Sequence, residues 1–387
     1  MASFSADDHR FMSRALALAA RGLYTTDPNP RVGCVIVRNG EVVGEGFHRR
    51  AGEPHAEINA LIAAGDCAHG ATAYVTLEPC SHTGRTGPCA VALEAAQVAR
   101  VVIAMEDPNP QVSGRGIRLL EAAGIAVDVG LLADDAQALN PGFIARMQSQ
   151  RPFVRMKMAM SLDGRTAMGS GESQWITGPE ARCQVQRLRA RSSAILSGVE
   201  SVIMDDSRLT IRAEQLALDN GDDVASRQPL RVIVDSHLRL PLAAACLREP
   251  GRTLVVTTPS HDADKREQLI DAGAEVQVLT ADHQGRVELS ALLNWLATNE
   301  QVNELLVETG ATLAGAMISA GLIDEMQLFV APTLLGGDAR PLFALPGLAL
   351  MADQQRLNIH DIRAVGQDWR ITASPLATGA SGDTKVP

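Results

Sequence analysis

Apolar and polar positions along the chain fall into short blocks whose period switches between that of a helix and that of a strand. Near the N-terminus, "ADDHRFMSRALALAARG" spaces its apolar residues along one helical face, with Asp7 and Asp8 ahead of the run. "VGCVIV" and "EVVGEGF" are strand-like runs separated by "RNG", and the Asn-Gly pair predicts a hairpin. A helix is expected from about His55 to Ala64, followed by a strand at "ATAYVTL". A second helix is expected to open at Pro88, because proline suits the first helical position. The runs "RVVIAM", "GIRLLEAAG" and "IAVDVG" then read as strand, helix and strand. They complete a three-layer α/β pattern near residue 132.

"LNPGFIARMQSQRP" reads as a connection with a short helix before Pro152. From "FVRMKMAMSLDG" a second α/β series begins, with strands at "SAILSG", "PLRVIVDS", "RTLVVTT", "VQVLT" and "NELLVETG". Helices are expected at "SALLNWLAT" and "LAGAMISAG", and "EMQLFVAPTLLGG" adds a late strand. The domains expected from this pattern are 1–148 and 149–375. The small polar tail over 376–387 is expected to be disordered. One motif recurs, "DPNPRVG" from Asp27 and "DPNPQVSGRG" from Asp107, both rich in turn formers.

Length and composition narrow the function. A chain of 387 residues suits two or three domains. A hydrophobic fraction of 46% with 21% charged residues fits a soluble globular protein, and 3% aromatics leave its cores to Ala, Leu, Val and Ile. The N-terminus has no basic n-region, and no run reaches the roughly 18 apolar residues of a membrane span. A cytoplasmic location and no membrane partner follow as expectations. The net charge of -10 argues against a nucleic-acid partner and for a small anionic substrate held by a few arginines. A homo-oligomer is expected. The 6 cysteines are too few for a disulfide scaffold and read as metal ligands or buried thiols.

Two of them stand out. "EPHAEINALIAAG" opens a helix with His55 and Glu57, and "TLEPCSHTGRTGPC" carries Cys80 and Cys89. H-A-E, a strand, P-C and a second cysteine at a helix start form the pattern of a zinc deaminase, except that 8 residues separate the cysteines instead of two. One imidazole and two thiolates fill three positions of a tetrahedral zinc and leave one for water. Zinc brings the pKa of such a water from about 15.7 to about 7, and Glu57 is then the proton shuttle. A structural zinc would need a fourth protein ligand, for which His69 and His82 are the nearest candidates. Taken singly, each residue also reads as a helix cap or a small buried side chain.

"DPNPRVGCVIV", "GFHRRAGEPHAEINAL" and "YVTLEPCSHTGRTGPC" together resemble the deaminase domain of the bifunctional riboflavin biosynthesis deaminase–reductase family. The long cysteine spacing with its "CSHTGRT" insert matches that family, while Gly87-Pro88 stands where its members usually have Pro-Pro. The resemblance implies a cytidine-deaminase-like domain with zinc on His55, Cys80 and Cys89 and Glu57 as proton donor. It places Asn29 and His48 at the pyrimidine, and His82 and Arg85 at the ribose phosphate. A cation and a donor suit a phosphate ester, though the insert also reads as a solvated loop.

In the second half, "ELLVETGATLAGAMI" is a strand, a glycine-punctuated turn and a helix, which suits a phosphate cradle or a packing turn equally well. The glycine pair in "TLLGGD" is as weak a signal. "KMAMSLDGRTA", "SQWITG", "RARSSAILSGVESVIMDDSRLTIR", "VIVDSHLRLP" and "VETGATLAGAMI" resemble the reductase domain of the same family, implying a dihydrofolate-reductase-like fold and NADPH. The matching positions place Ala159, Trp175, Ser201, Asp205 and Ser236 at the cofactor, together with Gly310, Ala311, Thr312, Leu313, Ala314, Gly315 and Ala316. Ser173, Arg189, Leu209, Arg212 and Glu308 fall on the substrate side. Ser207 stands where the family commonly has proline, which leaves the backbone near Asp206 open.

Arg189 and Arg212 suit a phosphate gripped by two parallel bonds, or else a solvated basic helix face. Lys157 and Glu308 are the charged pair expected near the reacting sugar, either one able to supply or position a proton. Trp175 is also readable as a core residue, and Cys34, Cys67, Cys183 and Cys246 as small packing residues. The resulting expectation is zinc-dependent deamination of a phosphorylated pyrimidine, then NADPH-dependent reduction of its ribosyl group. A tRNA or nucleoside deaminase with an accessory domain, and a zinc-stabilised binding module without turnover, are the competing readings.

Overall fold

A computed structural model of the chain describes residues 4–81, 87–110 and 112–376. The chain divides into two compact units, one up to Pro152 together with Gln301–Asn303, the other from Phe153 to Glu300 and onward from Glu304.

In the first unit, α1 (Ala6–Ala20) starts at a capping box: the Ser5 hydroxyl accepts from the Asp8 N–H at 3.1 Å, and the Asp8 carboxylate accepts from the Ser5 N–H at 2.9 Å. The same carboxylate accepts from the Tyr74 hydroxyl at 2.8 Å and from Arg100 at 2.7 Å, so the cap also ties the helix to the sheet. β1 (Gly33–Arg38) and β2 (Glu41–Phe47) pair antiparallel. Asn39 (φ 52°) and Gly40 (φ 82°) both take the left-handed backbone that such a two-residue turn requires. There follow α2 (Ala56–Ala64), β3 (Thr72–Val75), α3 (Cys89–Ala95), β4 (Arg100–Ile103), α4 (Arg115–Ala122), β5 (Ala126–Val129), α5 (Ala133–Leu139) and α6 (Pro141–Ser149). The sheet runs β2-β1-β3-β4-β5, parallel from β3 to β5. A core of Met12, Ile36, Leu93, Ile103 and Leu120 packs against it.

The second unit contains β6 (Phe153–Ser161), β7 (Arg165–Ala167), α7 (Pro179–Arg191), β8 (Ala194–Gly198), α8 (Val199–Asp205), α9 (Gly221–Ala225), β9 (Leu230–Val234), α10 (Ala245–Arg248) and β10 (Thr253–Thr257). It continues with α11 (Ala263–Asp271), β11 (Glu275–Val278), α12 (Leu289–Asn299), β12 (Glu304–Val307), α13 (Ala311–Ser319), β13 (Glu325–Ala331), β14 (Arg340–Pro341), β15 (Leu357–Val365) and β16 (Asp368–Pro375). The main sheet runs β11-β10-β9-β8-β12-β6-β13-β16-β15, and β14 and β7 form a separate ribbon. The strands from β11 to β13 are parallel, while β16 and β15 run antiparallel at one edge. β8, β9, β10 and β12 are buried almost end to end, as helix-covered parallel strands must be.

Three expectations need adjusting. The three-layer pattern does not end near residue 132, since α5 and α6 continue the first unit. Pro88 is the N-cap of α3 with extended backbone, and Cys89 is the first helical residue. The β15–β16 hairpin was not expected: "LNIHDIRAV" is exposed at most positions, and its apolar alternation breaks at a register shift between Ile359 and Asp361. Of the tail, only Leu376 lies within the described residues.

Candidate active sites

In the first unit the chemistry gathers where α2 and α3 begin. His55 is the N-cap of α2, Glu57 lies in its first turn, and Cys89 opens α3. Cys80 follows β3 at its C-terminal end, where the ligand crevices of open parallel sheets lie. The donor atoms of His55, Cys80 and Cys89 all lie within 4.8 Å of one another. His55 Nδ1 is 3.6 Å from Cys80 Sγ and 3.3 Å from Cys89 Sγ. Donors bound tetrahedrally to zinc stand about 3.5 Å apart, given metal–ligand bonds of about 2.0–2.3 Å, so the three atoms fit that ion. Among the described residues the cluster has no fourth member. His69 is outside it, and His82 lies outside the described residues.

The two thiols titrate as a pair. A hydrogen bond from Cys89 and, against burial, bonds from His55 and the Cys89 backbone hold Cys80 well below the usual thiol range, while Cys80 and burial push Cys89 up. The Cys89 backbone N–H donates to Cys80 Sγ at 3.3 Å. Glu57 is only 3% exposed, and burial together with the neighbouring Cys80 pushes its carboxyl up to about 7, against a backbone hydrogen bond that lowers it. A carboxyl poised there can both take and give a proton near neutrality.

The pyrimidine-side pair also comes together. Asn29 Nδ2 and His48 Nε2 are 3.0 Å apart, and His48 Nδ1 lies 3.2 Å from the Pro54 carbonyl. A proton on Nδ1 leaves Nε2 to accept from Asn29. Burial lowers the His48 pKa, favouring that neutral ring, which stands edge-on to His55 at 5.3 Å. His82 and Arg85 lie outside the described residues.

In the second unit one cavity of about 1610 Å³ receives most of the expected positions. Lys157, Ala159, Ser173, Trp175, Arg189 and Ser201 line it, as do Asp205, Leu209, Arg212, Ser236 and Glu308. Gly310, Ala311, Thr312, Leu313 and Ala316 also line it, whereas Ala314 and Gly315 do not. They occupy the buried side of α13, where a Cβ on Gly315 would stand 1.9 Å from the Ala344 carbonyl oxygen. Gly315 therefore serves packing. Gly310 caps α13 without a side-chain bond to the first turn, so that turn offers free N–H groups to an anionic ligand. The Gly310 N–H donates to the Ser201 hydroxyl at 2.9 Å, and the Val287 N–H to the Ser236 hydroxyl at 3.1 Å. Loop residues Asp282, His283 and Arg286 line the cavity too, and nothing in their sequence pattern signalled it.

Trp175 is 66% exposed with the Arg182 guanidinium 4.9 Å from its ring centroid, which excludes the core alternative. The Ser173 hydroxyl donates to Asp205 at 2.9 Å. Asp206 takes the left-handed conformation at the end of α8 and accepts from the Ala245 N–H at 2.8 Å. Arg189 pairs with Glu308 rather than standing free for phosphate, and its Nη1 donates to the Thr210 carbonyl at 2.9 Å. Burial lowers the Lys157 pKa, the Glu308 charge opposes that, and Arg189 adds to it.

Two family models match the chain: the cytidine and deoxycytidylate deaminase zinc-binding region over residues 5–105, and the RibD C-terminal domain over residues 152–371. Riboflavin biosynthesis protein RibD of Escherichia coli is 50% identical over 366 residues, covering 93% of this chain and 97% of that protein. The protein of the same name from Haemophilus influenzae is 47% identical, covering 97% and 99%. Among solved structures, Acinetobacter baumannii RibD superposes with a TM-score of 0.87 at 48% identity, covering 96% of this chain and 99% of that one. A diaminohydroxyphosphoribosylaminopyrimidine deaminase/5-amino-6-(5-phosphoribosylamino)uracil reductase from Thermotoga maritima superposes with a TM-score of 0.81 at 30% identity, covering 96% and 99%. The first unit is thus cytidine-deaminase-like and the second dihydrofolate-reductase-like. The chain belongs to the RibD family of riboflavin biosynthesis proteins, bifunctional enzymes that join a zinc-dependent deaminase to an NADPH-dependent reductase.

Proposed function

We propose that the two activities divide between the two units. The first hydrolytically deaminates 2,5-diamino-6-(5-phosphoribosylamino)pyrimidin-4(3H)-one. The second reduces the ribosyl group of the resulting 5-amino-6-(5-phosphoribosylamino)uracil to ribityl. The observation that carries this reading is the buried Glu57 carboxyl beside the His55, Cys80 and Cys89 donors, since a purely structural metal has no use for it.

His55, Cys80 and Cys89 hold the zinc, which when bound lowers the pKa of water from about 15.7 to about 7. Glu57 takes the proton from the attacking water and passes it to the nitrogen that leaves as ammonia. Asn29 and His48 orient the pyrimidine, and His82 and Arg85 take the phosphate end.

NADPH, when bound in the second unit, would supply a hydride. Trp175, Ala159, Ser201, Asp205 and Ser236 position the cofactor, with the exposed first turn of α13 taking its phosphates. Lys157 supplies the accompanying proton, and the Glu308 charge opposes the burial that lowers the Lys157 pKa. Ser173, Leu209 and Arg212 contact the substrate, with Arg212 at the phosphate and Arg189 acting through Glu308.

Among the described residues no helix is long and apolar enough to cross a membrane. A homo-oligomer is favoured by the edge strand β15, where Ile359 and Ile362 are each 54% exposed. Light scattering on the eluting protein would return the monomer mass if that is wrong. The two-activity assignment is tested by following ammonia and NADPH separately on the diaminopyrimidinone ribotide. Ammonia release without later NADPH loss would sink it.

A further inference from the structure

Glu78, two residues before Cys80, is 3% exposed, and its carboxylate is saturated by backbone donors from a distant segment. Its Oε2 accepts from the N–H groups of Asp107 at 3.1 Å and Gly114 at 3.0 Å. Its Oε1 accepts from Gly116 at 2.8 Å and Ile117 at 3.4 Å. These residues span the second "DPNP" motif and the first turn of α4, whose own N-cap, Gly114, offers no side chain. Glu78 therefore caps α4 from another part of the chain, placing a charged acceptor on a helix N-terminus.

The clamp reaches the neighbouring peptide. A Cβ on Gly116 would lie 2.0 Å from the Pro79 carbonyl oxygen, so the first turn of α4 presses on the peptide that leads into Cys80. From the other side, the Ala90 N–H donates to the Cys80 carbonyl at 3.2 Å and the Cys89 N–H to its sulfur at 3.3 Å. The Cys80 backbone is thus fixed between the starts of two helices.

We propose that Glu78 is a positioning residue for the metal site: by clamping α4 against Pro79 it fixes the Cys80 sulfur where the zinc needs it. The proposal rests on reading His55, Cys80 and Cys89 as the zinc ligands. Removing a partner that orients a metal ligand typically costs about 10–100-fold in metal affinity. Glu78→Gln keeps the size but turns an NH2 towards two backbone donors. Gly116→Ala wedges the same contact open from the helix side. Coupling of this kind is reciprocal, so if the clamp favours zinc, zinc must tighten the clamp.

The test uses the full-length protein and two variants, Glu78→Gln and Gly116→Ala. Each is expected to surrender zinc to a chelator at least about tenfold faster than the parent chain and to shift the thiolate charge-transfer band of the cobalt-substituted site. NADPH-dependent reduction of supplied deaminated substrate is retained, which reports a folded second unit. In the unmodified protein, loading zinc is expected to slow hydrogen exchange at the Gly114, Gly116 and Ile117 amides. Unchanged zinc release and an unshifted cobalt band in folded variants overturn the proposal and reduce Glu78 to a helix cap. If neither variant folds, unaltered exchange at those amides on zinc loading overturns it. A parent chain that binds no zinc would instead fault the ligand assignment itself.

Discussion

Arg189 grips Glu308 with two parallel hydrogen bonds, Nε to Oε1 at 2.6 Å and Nη2 to Oε2 at 3.0 Å, both side chains being nearly nine-tenths buried. The pair places a fixed negative charge beside Lys157 in the wall of the second unit's cavity. Glu308→Gln leaves Arg189 uncompensated, at a cost of about 3 kcal/mol in that unit's stability. Reduction is expected to fall at least about a hundredfold while ammonia release is untouched. Because the Glu308 charge holds the Lys157 pKa up against burial, its loss lets that pKa fall further. Residual reduction then fails at a lower pH on the alkaline side than in the parent, which a pH–rate profile reads directly.

Asp8 governs the acid stability of the first unit. Burial acts to raise its pKa, but bonds from Arg100, the Ser5 backbone and hydroxyl, and Tyr74 outweigh it and hold the carboxyl well below the usual range. A depressed carboxylate pKa stabilises the fold above the unfolded value of about 3.9, and the contribution is lost as pH falls through the folded value. The stabilisation is on the order of 2 kcal/mol, as for hydrogen bonds to a charged group. Urea titrations of Asp8→Asn should show lower stability at neutral pH and a flatter profile below about pH 4. A parallel loss in both proteins would show that Asp8 is not the titrating group.

Gly315 lies on α13 where the helix meets the backbone of Ala344, a residue that lines the cavity. Gly315→Ala forces overpacking there and should lower stability by about 1–3 kcal/mol, despite alanine's better helix propensity. The melting temperature measures this, and a rise would show that α13 can shift away from residue 344.

The sequence made the zinc cluster legible because its residue types are chemically rare and sit at helix starts that turn chemistry marks. Asn29 and His48 became visible only through family resemblance, since nothing local distinguishes them from ordinary polar positions. The Arg189–Glu308 pair was hidden by a sequence separation of 119 positions, and Arg189 read as a free phosphate ligand because its partner lies beyond any local pattern. Glu78 escaped for a similar reason: its four donors lie 29 to 39 positions away. α5 was missed because "ADDAQAL" spans under two helical turns and its apolar residues are mostly alanine, too short and weak a run to show a period. β15 was missed because a register shift between Ile359 and Asp361 breaks its alternation into two short pieces.

The most direct test of the account is Glu57→Gln in the full-length enzyme, with zinc content, ammonia release and NADPH consumption measured on one preparation. The account predicts that zinc is retained, that ammonia release falls by about 10²–10⁴-fold, and that reduction of supplied deaminated substrate proceeds at the parent rate. Ammonia release at the parent rate from the zinc-loaded variant, or loss of both activities in a folded protein, would contradict it.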